Sequence, residues 1–298
     1  MASPLLVRFL YIKVVKNFLY LLAVVFVFVA GDRLAAVFLQ KQTAASQLRY
    51  SRLYNGSGQA DLLLAGNSRG LTFYQPYIEE KTGLSTLNIS YNGLPAEVAA
   101  CLLLDYVDRY PAPRALVIDI TLCDRSNDEL MTAFTTYSEY SPRIQTLLQQ
   151  KLPKVWWGAQ VSHLFRYNNE VFQRALYYRN RSDEDWLLDR VITDRLAAQV
   201  DSMKYGMNPD LAPPLERTLT AFREKGIRVV PVISPYFPGF SKNIAHLDEL
   251  KARIEANTGL TVLDFRDALT DPADFGDLQH PNKRGSIRYM DLLFEKIK

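Results

Sequence analysis

Hydrophobic and polar positions divide this 298-residue chain into two unlike parts. Residues 18–31 (FLYLLAVVFVFVAG) carry no charge, and Val14 and Val15 lengthen the run if Lys16 stretches its ammonium toward the interface. Residues 14–31 then come close to the roughly 20 apolar positions that a spanning helix needs. Arg8, Lys13 and Lys16 precede the run, so the positive-inside tendency predicts a cytoplasmic N-terminus and an extracytoplasmic remainder. A cleaved signal peptide shares the basic start and apolar middle. Against cleavage, Phe28 stands where a small residue is wanted, and apolar residues 34–39 follow where a polar release region belongs. The reading is an uncleaved single-pass anchor of an inner or plasma membrane, with residues 34–40 continuing its helix outside the bilayer. Residues 1–40 form this basic start and anchor, 41–59 read as a tether ending in Asn-Gly-Ser-Gly, and 60–298 as the folded domain.

Within the domain the period changes. Short apolar runs at 62–65, 84–89, 115–120, 227–233 and 260–264 read as buried strands. Between them, residues 71–81, 95–110, 215–225 and 244–258 read as helices, and 284–296 as a closing one. Val98, Leu102, Leu103, Tyr106 and Val107, for example, fall on one helical face after a Pro suited to a first turn. Repeated strand–helix–strand crossovers predict an α/β fold, a doubly wound parallel five-stranded sheet with right-handed connections. Residues 125–215 interrupt the alternation as a mostly helical insertion, with helices expected near 143–152, 156–165, 169–176 and 185–201. Its aromatic residues Trp156, Trp157, Phe172, Tyr177 and Tyr178 fit three roles: ordinary core, a lid or saccharide-stacking surface, or a surface resting on the bilayer.

Composition narrows the function. A net charge of +3 with no basic stripe excludes nucleic acid as an expected partner. No Cys/His cluster has metal-ligand spacing, and no cofactor is called for. Cys101 and Cys123 are expected as buried free thiols on the exported side.

Candidate chemistry begins at Gly66-Asn67-Ser68-Arg69-Gly70, where the run 62–65 breaks off and presents a serine. Open α/β sheets place ligands at this carboxyl edge. A serine hydroxyl needs a base within hydrogen-bond reach. Of three histidines, His163 falls in the insertion and His246 in a helix, both as surface or packing residues. His280 follows Asp277 by three positions in Asp277-Leu278-Gln279-His280, so the carboxylate can orient the ring and leave Nε2 for Ser68. Arg69 has two readings, a contact for a substrate carboxylate or phosphate, or an ion pair with Asp119 or Asp124. The loop 234–240, with Tyr236, falls on the same edge as a pocket wall or a rigid connector.

These two blocks resemble the SGNH (GDSL-like) hydrolase superfamily over about residues 60–298, with Asn67 where many members carry Asp. The resemblance implies a three-layer sheet of order 2-1-3-4-5 and a Ser68–His280–Asp277 triad. It also implies an oxyanion hole from the Ser68 and Gly93 N–H groups, the other reading of Gly93 being a plain turn glycine before the helix over 95–110. The family's third-block Asn is missing after residue 119, so Asn92 or Asn67 would supply the amide, and Asn67 and Tyr236 count with Arg69 as substrate contacts. Gly-x-Ser-Arg behind a membrane anchor looks like exopolysaccharide and alginate O-acetylation proteins and the D-alanyl transfer protein of teichoic acids. That branch implies transfer of an acyl group, acetyl first, onto a glycan acceptor beside a multi-spanning membrane-bound O-acyltransferase. A membrane-anchored esterase or deacetylase and a non-catalytic assembly protein are the rival expectations.

Overall fold

The computed structural model describes residues 4–297. Helix α1 (Pro4–Ala44) contains the apolar run and is long and apolar enough to cross a membrane, with mean hydropathy 2.2 over its best window. It does not hand over to a tether. Helix α2 (Arg49–Asn55) follows at once, and Leu48, Tyr50 and Leu53 are fully buried in the main core. The Tyr50 hydroxyl donates to the Ile89 carbonyl at 3.1 Å and Tyr54 to Asp105 at 2.8 Å. The expectation of a tether over 41–59 is therefore corrected. Four large apolar side chains among the polar ones anchor the segment, which closes with Gly56 in the left-handed region at φ 93°.

Strand β1 (Leu62–Ala65) is buried along its whole length, so both of its faces are covered. That is the environment in which a continuous Leu run is stable as a parallel strand. Each such Leu contributes about 1.5–3 kcal/mol through removal from water. After it come α3 (Gln75–Thr82), β2 (Thr86–Asn88), α4 (Ala96–Arg109) and β3 (Ala115–Asp119). The expected helix over 71–81 is split, because residues 70–72 form one 3₁₀ turn and Pro76 restarts the helix at its first turn.

The insertion contributes α5 (Asp128–Ala133), α6 (Pro142–Lys151), α7 (Pro153–Val161), α8 (Glu170–Tyr177) and the single turn α9 (Asp194–Ala197). The long helix expected over 185–201 does not form. Residues 186–192 form no regular element, apart from a bridge from Leu188 to Asn282, and the Ile192 N–H donates to the Phe275 carbonyl at 2.7 Å. Strand β4 (Tyr205–Gly206) pairs with β6 (Ile244–Ala245) in a minor two-stranded sheet, which takes residues 244–245 from the helix expected there. Helix α10 (Pro213–Glu224), β5 (Arg228–Ile233), α11 (Leu247–Thr258), β7 (Leu263–Asp264) and α12 (Lys283–Ile297) complete the chain.

The main sheet is five-stranded in the order β2-β1-β3-β5-β7, and every pairing in it is parallel. Leu64 sits opposite Asn88 on one side and Val117 on the other, which centres β1. The fold is α/β with a five-stranded parallel sheet. The chain's two cysteines are free thiols, Cys123 buried and Cys101 partly so.

Candidate active site

Gly66 and Gly70 allow β1 to turn back on itself. A Cβ on Gly66 would stand 2.8 Å from the Gly70 Cα, closer than real Cβ contacts run, so the turn has no room for one. Asn67 shapes the same turn: its Oδ1 accepts from the Arg69 N–H at 3.0 Å and its Nδ2 donates to the Thr121 carbonyl at 2.9 Å. Ser68 emerges half-buried at the tip. From the other end of the chain, the loop before α12 brings His280 over it. His280 Nε2 lies 2.8 Å from Ser68 Oγ, and His280 Nδ1 lies 2.9 and 3.0 Å from the two Asp277 oxygens.

The Asp277 carboxylate does two jobs at once. It also accepts the backbone N–H groups of Gln279 and His280 at 2.8 and 2.9 Å, which winds the loop tightly enough for residues three apart to meet. Burial opposes its ionisation, yet the His280 hydrogen bond and charge and the two N–H donors outweigh burial and hold its pKa below the usual value. A carboxylate fixed on Nδ1 sets the tautomer that leaves Nε2 free to accept a proton. His163 and His246 take no part. His163 sits at a turn against α1, and His246 pairs with Glu249 at 2.8 Å on the surface.

A cleft of about 300 Å³ opens above the serine, lined by Ser68, Thr72, Asn92, Arg174, Trp186 and His280 among others. Asn92 is exposed there and suits an oxyanion donor, as does the Ser68 N–H, which no group among the described residues accepts. Gly93 does not line the cleft. It turns the chain behind Asn92 at φ 70°, and its carbonyl accepts from Asn127 Nδ2 at 3.0 Å.

Three expected substrate contacts are corrected. Arg69 is only 2 % exposed, with its guanidinium donating to the Gln279, Ser234 and Pro235 carbonyls and its Nε 3.9 Å from Asp119. The ring of Tyr236, fully buried, lies 3.4 Å beneath that guanidinium. Asn67 is buried and spends its amide on the turn. All three build the floor of the site rather than face a ligand. Asp119 joins them from the end of β3, accepting from Thr121 N at 2.8 Å and Ser234 N at 3.0 Å.

The cleft wall from the insertion was not legible beforehand. Trp186 stacks on Tyr178 at 5.6 Å with Arg49 4.6 Å over its ring, and its Nε1 donates to Asp183. Asp183 in turn holds Arg49 in an ion pair at 2.9 Å, with both side chains buried. Helix α2 thereby grips the segment that carries Trp186, Leu187 and Leu188 to the cleft. Exposed Arg174 also lies over this indole, at 5.3 Å. Among the described residues no group of His, Cys, Asp and Glu is arranged to hold a metal ion. No protein-family model matches this chain, and no curated protein matches it.

Proposed function

We propose that this chain is a membrane-anchored, extracytoplasmic serine acyltransferase of SGNH type. It moves an acyl group, acetyl in the first instance, onto a hydroxyl of a cell-envelope or exopolysaccharide glycan. The observation that carries the reading is the 2.8 Å contact between Ser68 Oγ and His280 Nε2 with Asp277 behind the ring. The parallel five-stranded sheet with β1 at its interior and the apolar helix ahead of the domain support it.

In this mechanism Ser68 Oγ attacks the acyl carbonyl while its proton passes to His280 Nε2. The oxyanion is met by the Ser68 N–H and the Asn92 amide. A single such donor supplies about 3 kcal/mol of barrier lowering. Collapse of the tetrahedral intermediate breaks the bond to the leaving group, which takes the proton from His280. The acceptor hydroxyl then gives its proton to His280 and attacks acyl-Ser68, releasing the new ester and the free serine. The positive-inside rule puts the domain outside the cytoplasm, and a multi-spanning membrane-bound O-acyltransferase is the partner that would deliver acyl groups across the bilayer.

Ser68 and His280 are both reachable by solvent, which favours one second reading, a membrane-anchored esterase. A serine-reactive fluorophosphonate tests the shared chemistry: labelling of wild type and none of Ser68→Ala supports both, and no labelling of folded wild type refutes both. Turnover of p-nitrophenyl acetate then separates them. Acceleration by added glycan with acyl-glycan formed marks the transferase, and no gain from glycan marks the esterase.

A further inference from the structure

We infer that the end of α7 and the turn after it form a second membrane contact, resting on the outer surface of the bilayer that α1 crosses. The inference depends on reading α1 as a membrane span, and on no feature of the triad. Gly31 ends the uncharged run, and the very next residue ties the domain to that height. Asp32 accepts Ser162 Oγ at 2.6 Å, the His163 N–H at 2.8 Å and the Leu164 N–H at 3.2 Å. Arg33 donates to the carbonyls of Val161 at 3.3 Å and Gln160 at 3.4 Å. Residues 160–164 are thus held level with the outermost turn of the span.

The side chains displayed at that level are apolar and large. Trp157, Val161, Leu164 and Phe165 are 61 %, 74 %, 37 % and 41 % exposed. Trp157 and Val161 are one helical turn apart on α7, and the Phe165 ring packs 3.5 Å from the Cβ position of Gly158, which closes the patch. Trp156 meets Trp157 edge-on at 4.8 Å, and Lys154 is exposed on the preceding turn. An indole at the headgroup level, with aliphatic neighbours and a flanking lysine, is the composition of a membrane–water interface. Its continuity with α1 selects the bilayer over a soluble partner as the occupant. A second fixed point so close to the span would stop the domain from tilting about α1.

Full-length protein reconstituted into phosphatidylcholine vesicles, with and without bromine on the acyl chains, tests this. Tryptophan emission of wild type should fall in the brominated vesicles, and most of that fall should disappear in Trp157→Phe, which leaves Trp156 and Trp186 in place. A second probe is Val161→Cys carrying an environment-sensitive fluorophore, whose emission should shift to the blue on moving from detergent to vesicles. Equal quenching of wild type and Trp157→Phe, with no shift at position 161, would overturn the contact, including the case in which another membrane protein covers the patch. Resistance of both proteins to carbonate extraction reads the span separately, so loss of the anchor and loss of the contact give different results.

Discussion

Arg69, the residue after Ser68, donates through its guanidinium to the main-chain carbonyl of Gln279, the residue before His280. Two loops 210 positions apart are therefore joined at the point where Ser68 and His280 meet. The same guanidinium reaches the Ser234 carbonyl and stacks on Tyr236, so one side chain registers three loops at the sheet edge.

Removing that clamp should cost stability and rate in separable ways. Arg69→Ala takes the cationic partner from buried Asp119, which keeps only its hydrogen-bond donors, an effect of at most about 3–5 kcal/mol, and a lowered melting temperature would show it. Arg69→Lys keeps the charge but cannot reach several carbonyls with a planar fork. It should stay folded and lose fluorophosphonate labelling rate; an unchanged rate would mean that the loops hold their register without it.

Asp277→Asn should leave the loop folded and the serine intact while presenting an amide donor to His280 Nδ1. The ring would then adopt the tautomer with a proton on Nε2, and acyl transfer should fall by roughly 10³–10⁴-fold. Labelling kinetics of the variant against wild type check this, and a loss under about tenfold would dissociate Asp277 from orienting the base.

The depressed pKa of Asp277 also predicts an acid limb in stability. Its folded value lies below its unfolded one, so the stabilisation is complete above the unfolded pKa of about 3.9 and is lost as pH falls through the folded value. Denaturant melts of wild type should weaken on acidification below about pH 4 more steeply than those of Asp277→Asn. Parallel curves would show that the carboxylate has no net preference for the folded state.

Gly276 and Leu188 set the cleft wall by close packing. A Cβ at position 276 would meet Leu188 Cδ1 at 2.6 Å and Cβ at 2.8 Å, so Gly276→Ala must push the wall away. The expected cost is about 1–3 kcal/mol. Leu188→Ala removes the Cδ1 clash but not the one with Cβ, so the double variant should recover part of the loss. A strictly additive double-mutant cycle would show that the two positions do not press on each other.

The Ser68–His280 pair is legible in the sequence because each half is written locally. Leu62–Ala65 followed by Gly66 states a buried strand and its end, and Asp277 three residues before His280 states a loop tight enough to join them. The path of 186–192 is not, since Trp186, Leu187, Val191 and Ile192 have helical spacing, and only pairing with residues 275–283 decides against a helix. Residues 41–59 differ from expectation for a related reason: their polarity suggests solvent, whereas the buried Arg49–Asp183 pair consumes part of it internally. The burial of Arg69 could not be foreseen either. A guanidinium is ordinarily an outward-facing group, and its acceptors here come from residues 234, 235 and 279.

Helix α1 enters the domain without a break and is seated there by Asp32 and by Ala36 against Tyr167 and Phe172. A chain built in this way is a mast rather than a leash. On the proposed reading of α1 as a membrane span, the cleft at Ser68 would sweep a narrow band of space as the protein diffuses, and would meet whatever polymer or neighbour passes through that band. Widening that band would take loss of the Asp32 contacts as well as a flexible insert between Ala44 and Arg49, because α1 is docked on residues 162–164 ahead of that joint.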